Sequence, residues 1–405
     1  MSRITVALIT LVLVFASSYV ALAADPVTLI VAVAPDDRVV NPSFDEAFAQ
    51  EYPHIKVEFI GRMNAETFIT RYVAGVAPDI WLFGADVPIN LGPEGYLLDL
   101  TSYLEKTPEF RYHDDYIPLA QEPFEIGEAV YGLAYDVGAL AVYYRTNLFD
   151  EVGVKRPWFE FTIDDFAEAA RKLTVVSPDG EVERWGARGY WNWWANAPAL
   201  GGFGATLYDR DRNVVLDPPD KAAQAMAWWT DLFINQQAAH PNYRDINAGD
   251  AAMVFNGTWA YWVWNSAFDG LTEIAPVPMG PEGRRTTMSG SALGISANSQ
   301  HKEEAWTYLS QLLGVENSHE WLARLGPVRF SGMPLFGLEW GERGRLPQAI
   351  LQDAIEGTGI YRPILPSELA SAINPHINQV INGELDPYVG VEIVRDLASG
   401  ILGEN

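Results

Sequence analysis

The stretch "AVYGLAYDVGALAVYY", residues 129–144, is apolar and rich in β-formers over its whole length. An ordinary strand runs for about five or six residues. Gly132 and Gly138 fall inside this one, at positions where a strand bends or is closely approached. The segment reads as a strand that leaves one sheet and enters another, and so as a crossing between two bodies. A chain of 405 residues also leads one to expect two domains. No internal repeat, low-complexity tract or disordered linker separates its halves, so the domains are expected to be joined by several ordered crossings.

Upstream, "VTLIVAVA" (27–34), "SFDEAFAQEY" (43–52), "IKVEFIG" (55–61), "NAETFITRYVAG" (64–75) and "DIWLFG" (79–84) alternate strand, helix, strand, helix, strand. That order predicts a parallel sheet with crossover helices. Ligands in such sheets sit beyond the carboxyl ends of the strands, which singles out "PDD" (35–37) and "GAD" (84–86). Downstream, Thr162 and Asp165 have capping-box spacing ahead of a helix over 161–173. Further helices are predicted over 217–237 and over 301–313, where Ala305, Tyr308, Leu309 and Leu312 share a face.

The first residues, "MSRITVALITLVLVFASSYVALA", carry an early Arg3, an apolar run and an Ala21-Leu22-Ala23 site, the pattern of a removed secretory signal over residues 1–23. Export is therefore expected, to a secreted, periplasmic or cell-surface location. There is no cysteine, which excludes disulfides and cysteine-bound metal. With 53 acidic against 27 basic residues the formal net charge is −26. That balance argues against nucleic acid and anionic membranes as partners and serves solubility outside the cell.

Catalytic signatures are missing. The six histidines lie singly, and His319-Glu320 has no second ligand at zinc-helix spacing. "SGSALG" (289–294) lacks the glycine that a nucleophile elbow needs two positions before its serine. "GGFG" (201–204) has no phosphate-loop lysine. No catalytic residue, metal or cofactor is expected.

Seven short motifs then occur in order: "GVAPDIWLFGADVPINLGPEGYLLDLT" (75–101), "YGLAYDVGALAVYYRTNLFDEVGV" (131–154), "GDAAMVFNGTW" (249–259), "PVPMGPEG" (276–283), "SGSALGIS" (289–296), "KEEAWTYL" (302–309) and "INGELDP" (381–387). Together they make the chain resemble extracellular solute-binding protein family 1, the sugar-capturing components of bacterial ABC importers, similar in outline to maltose-binding protein. The resemblance implies an α/β, two-lobed periplasmic-binding-protein fold with a hinge and an interlobe ligand cleft. It places one lobe at 24–136 plus 273–328 and the other at 137–272 plus 329–405, with crossings near Asp136 and Glu273 and a return near Gly326 to Phe330. It further implies a monomer that closes on a sugar and is then recognised by a membrane permease.

Sugars offer hydroxyls to carboxylates and amides, and C–H faces to aromatic rings. Asp36 and Asp37 fall where the family has a sugar-contacting acidic and basic pair, with Asp37 in place of the basic member. Phe83 and Asp86 match a stacking aromatic and a hydroxyl-binding aspartate, the alternative for Asp86 being a solvated loop. Trp81 shares the face of Phe83 on a strand and reads as core. Asp136 matches a position often polar in the family, as ligand contact or as hinge hydrogen bond. The "WNWWAN" loop (191–196) offers Trp193 or Trp194 as a stacking ring. Trp259, in the family's Gly-x-Trp, is the leading candidate, with Trp262 as a second contact and the other rings of "FNGTWAYWVWNS" (255–266) as packing. Gly290 and Ser291 resemble a small-residue loop that lets ligand approach backbone. Tyr361 and Arg362 lie at the expected cleft edge or in surface packing. Two rival functions remain open: a cage for a polyamine or quaternary amine, built from rings and carboxylates, and a glycosidase using two carboxylates.

Overall fold

The computed structural model describes residues 26–33, 42–189, 199–208, 214–242, 248–261, 264, 270–315, 317, 327–336, 345–361 and 367–403. The predicted alternation is present: β1 (Val27–Ala32), α1 (Pro42–Glu51), β2 (Ile55–Ile60), α2 (Ala65–Val73) and β3 (Ile80–Gly84). β1 pairs in parallel with both β2 and β3. Helix α2 starts where the Asn64 side chain accepts from the Thr67 amide, a cap that satisfies one of the orphan donors. Its one fully buried side chain, Phe68, stacks on Trp81 of β3 at 4.1 Å between centroids.

The long segment becomes β4 (Leu133–Arg145), an uninterrupted strand of 13 residues. After it come α3 (Ile163–Leu173), β5 (Val182–Arg188), α4 (Pro219–Thr230), β6 (Ala239–His240), β7 (Ala251–Gly257), β8 (Thr272–Pro276), β9 (Thr286–Ile295) and α5 (Lys302–Leu312). The chain ends with α6 (Arg345–Asp353), β10 (Gly359–Tyr361), α7 (Ser367–Ile381) and α8 (Pro387–Gly403). The capping box at Thr162 and Asp165 forms as read, each side chain serving the other residue's backbone amide. Ala305, Tyr308, Leu309 and Leu312 of α5 are buried as read, together with Trp306.

Strands run in the order β6-β5-β7-β4-β9-β3-β1-β2, with β8 also on β4 and β10 on β9. The first part of β4, Leu133–Ala139, pairs with β9, while its second part, from Leu140 onward, lies between β7 and β8. One strand thus serves two cores. Leu140, Val142 and Tyr144 belong to a core built with α3, α4, α7 and α8. Ala139, Ala141 and Tyr143, on the opposite face by strand alternation, belong to a core built with β1, β3, α2 and α5.

β8 pairs over its full length with Ala141–Arg145 and so stays with the second body past Glu273; the chain returns only with β9. Ile350, Leu351 and Ala354 of the segment after Phe336 join a cluster that also takes in Tyr143, Val254 and Ile274, and α6 packs on β4, on β8 and on the turn Thr258–Ala260. Arg329 anchors the chain after α5. It is buried at 1% exposure with its guanidinium carbon 4.6 Å and 4.4 Å from the ring centres of Phe110 and Tyr116. Its Nη2 donates to the Leu313 carbonyl at 2.9 Å and its Nη1 lies 3.4 Å from the Asp115 carboxylate. Breaking such a buried pair by removing one partner costs about 3–5 kcal/mol, so this segment is held to the first body. β10 then pairs with the start of β9.

Candidate ligand-binding site

Along β4, β9 and β3 the sheet opens at one place. β9 is buried throughout except at Ser289, Gly290 and Ser291, and β4 is buried between its ends except at Asp136. In β3 only the last residue, Gly84, is partly exposed. These positions are neighbours: Gly84 pairs with Ser291, Ser291 with Asp136, and Ser289 with Gly138.

A bulge decides which way Asp136 points. Ser291 pairs with Asp136, but the next residue, Ala292, pairs with Ala134, so Tyr135 is extra. An extra residue re-aims the side chains beyond it. Without it, Asp136 would follow Ala134, which is fully buried. With it, Asp136 turns to the open face, where its Oδ1 accepts from the Ser291 amide at 2.6 Å. Gly290 is needed beside it, because a Cβ there would lie 2.1 Å from the Asp136 carbonyl oxygen.

Directly paired residues share a face, so Gly84, Ser291 and Asp136 look the same way, and Gly138 joins them two residues on. Asp86 is exposed in the turn after β3, and its Oδ1 lies 2.8 Å from where a Gly84 Cβ would stand. Its carboxylate therefore hangs over the same face. At the other end stands Trp259, in the single turn Thr258–Ala260 that follows β7. A Cβ on Gly138 would meet its Cε3 at 2.3 Å, and one on Gly257 would meet its Cζ3 at 2.1 Å. The turn is pinned from below: Tyr143 donates its hydroxyl to the Gly257 carbonyl at 2.7 Å, and the Ala139 amide donates to Thr258 Oγ1 at 3.3 Å. Trp259 is half-buried and packs against both cores.

From Gly84 to Asp136 the floor spans two strand spacings, about 10 Å, and from Asp136 to Gly138 about 7 Å along the strand. Carboxylates of Asp86 and Asp136 offer acceptors, the hydroxyls of Ser289 and Ser291 offer both roles, and the Trp259 ring offers an apolar surface. Phe83 is corrected: alternation sends it to the face opposite Gly84, where it is 4% exposed and meets Trp81 at 5.2 Å and Phe124 at 6.3 Å. Trp81 is core, as read. Within the aromatic run, Phe255 lies in the second core and Tyr261 and Trp264 in the first. Ser289, Thr258 and Tyr143 were missed by sequence reasoning. Asp36, Asp37, Trp193, Trp194, Trp262 and Arg362, and the side chain of Tyr361, lie outside the described residues. Among the described residues no group of three or more His, Asp or Glu is placed to hold a metal ion, and no helix is long and apolar enough to cross a membrane.

A family model described as bacterial extracellular solute-binding protein matches residues 34–318. The arabinooligosaccharide-binding protein of Halalkalibacterium halodurans is 22% identical over 311 residues, covering 67% of this chain and 63% of that protein. An ABC substrate-binding protein of Listeria monocytogenes in complex with cycloalternan has a similar fold, with a TM-score of 0.79 at 19% identity over 94% of this chain and 99% of that one. The GacH receptor of Streptomyces glaucescens, whose structures include an acarbose complex, follows at 0.76 and 20% identity over 94% and 99%.

Proposed function

The chain belongs to the bacterial extracellular solute-binding protein family, and from that membership we propose that it captures a mono- or oligosaccharide between its two lobes and passes it to the permease of an ABC importer. Trp259 carries the reading. It lies on the same face of the sheet as Asp136, touches both cores and stays partly open to solvent. A sugar ring covers an area on the scale of the floor from Gly84 to Gly138. Its C–H face suits the indole and its hydroxyls suit Asp86, Asp136, Ser289 and Ser291. The likeness of the fold to proteins solved in complex with cycloalternan and with acarbose supports the same ligand class.

The lobe division we propose has β4 and β9 as hinge strands and the last crossing ahead of α6, which packs on β4, β8 and the turn that carries Trp259. Closure brings a ligand resting on the floor against the second lobe, and contacts made only in that state shift the balance toward it. The protein works as an exported monomer, and the closed form is what the permease recognises. Asp36, Asp37, Trp193, Trp194, Trp262 and Arg362, which lie outside the described residues, remain assigned to the ligand.

Thermal unfolding of the purified chain against a panel of sugars tests the proposal. A ligand at a hundred times its dissociation constant adds about 2.7 kcal/mol. A rise in the midpoint with a mono- or oligosaccharide supports the carbohydrate class; a panel in which none raises it rejects that class.

A further inference from the structure

A groove of about 260 Å³ runs along the outer side of α3 and shares no residue with the floor. One wall is α3 itself, where Asp165, Glu168 and Lys172 stand exposed on one stripe and span about 10 Å. The other wall is the segment that leaves the helix Thr146–Val152 through Gly153, left-handed at φ 65°. Buried Phe161 supplies an apolar base. Above it stands Trp158, 53% exposed; among the described residues no other tryptophan is so open. Its ring is not loose. It meets Phe159 edge-on, at 5.8 Å between centroids and 75° between planes. Phe159 is held in turn by buried Arg284, whose Nη2 donates to its carbonyl and whose guanidinium carbon lies 5.6 Å from its ring centre.

Lys155, Arg156 and Lys172 line the groove together with Glu160, Asp165 and Glu168, three groups of each sign. Several are already engaged: Arg156 donates to Asp150 through Nε and Nη2, Lys172 lies 2.6 Å from Glu168, and Asp165 serves the Thr162 cap. Such a wall selects neither an anion nor a cation. A vicinal diol suits it better, because its hydroxyls donate to a carboxylate and accept from an ammonium at once. The open indole offers a face for C–H groups. A volume below the roughly 300–1,000 Å³ of pockets for drug-sized ligands suits one small unit. We propose that this groove is a second carbohydrate site, which takes one unit of a neutral sugar, free or at the end of a longer chain, against Trp158. All its lining residues come from one continuous stretch, 153–172, so it is complete whether the lobes are open or closed.

Fluorine NMR of the chain carrying fluorotryptophan tests this, with the Trp158 signal assigned by its loss in Trp158→Phe. The probes are the methyl α-glycosides of glucose, mannose and galactose, raised to about 100 mM, which fills a site with a Kd of about 1 mM. A saturable shift of the Trp158 signal with at least one probe is expected. It should persist in Trp259→Ala and weaken about fivefold or more in Lys155→Ala. No saturable shift of that signal overturns the proposal. A shift produced by sodium sulfate or spermidine and by no sugar overturns it as well, since the groove then selects an ion. The floor is read separately, from the signal lost in Trp259→Ala, so a failure of the cleft reading and a failure of this one are told apart in the same spectra.

Discussion

Phe83 and Trp259 are each seated over two glycines, on opposite faces of one sheet, and have opposite fates. A Cβ on Gly132 or Gly294 would come within 2.9 Å or 2.6 Å of the Phe83 ring. Gly138 and Gly257 are in the same relation to Trp259, at 2.3 Å and 2.1 Å. A glycine bed therefore says only that a ring comes close to the strands. What covers the ring decides its role: Phe124 and Trp81 close over Phe83, whereas Trp259 stands where the first core ends and the second begins. An aromatic at a boundary between two bodies keeps a surface for a third.

The largest expected difference is in stability. Phe83→Ala opens a cavity in a filled core and is expected to cost about 3–5 kcal/mol, read as a fall in the denaturant midpoint. Trp259→Ala is expected to leave that midpoint close to the parent's and to weaken sugar binding by about 1 kcal/mol or more, roughly fivefold in dissociation constant. Equal destabilisation by the two substitutions breaks the comparison, because it makes Trp259 a second core ring.

The beds supply a gentler version. Gly257→Ala and Gly138→Ala place a methyl inside the present position of the indole, so the ring must lift; overpacking of this kind costs about 1–3 kcal/mol. Here the loss is expected in affinity, together with a shift in tryptophan emission. Gly132→Ala presses on Phe83 and is expected to lower the thermal midpoint with affinity unchanged. The same pattern of losses at all three positions indicates that the two faces are not distinct.

Much of this was legible before any coordinates. Alternating strands and helices up to Gly84 follow from periodicity, the α3 cap from Thr162 and Asp165, and the crossing from the length of β4. Phe83 was legible too, in a sense: alternation puts it with Trp81, and a buried Trp81 means a buried Phe83, yet the resemblance placed it in the site. What sequence did not carry is the bulge at Tyr135. Nothing in "LAYDVG" marks which residue is extra, because the register is set by the partner strand β9, about 150 residues away in sequence. Nor does "GPVRF" announce that Arg329 is swallowed between Phe110 and Tyr116, since that pocket is made by a distant segment. Local patterns specify elements; long-range pairing specifies which face they show.

The smallest expected effect concerns that bulge. Asparagine at position 136 keeps an oxygen able to accept from the Ser291 amide, so Asp136→Asn retains the contact that turns the side chain outward and is expected to leave the fold intact. It removes the charge. Hydrogen bonds to charged groups contribute about 1 kcal/mol more than neutral ones, so a sugar hydroxyl bound to Asp136 is expected to bind about fivefold more weakly. Ionic strength then separates the ligand classes. For a neutral sugar, the dissociation constant of parent and variant alike is expected to change little between low salt and about 0.15 M, where charges farther apart than about 8 Å are screened. A cationic ligand held by Asp86 and Asp136 would instead weaken markedly with salt in the parent and less so in Asp136→Asn, because the charge that senses the salt is gone. A flat salt profile with a fivefold loss keeps the open face as a sugar floor; a steep profile that flattens in the variant turns it into a cation cage beside the same ring.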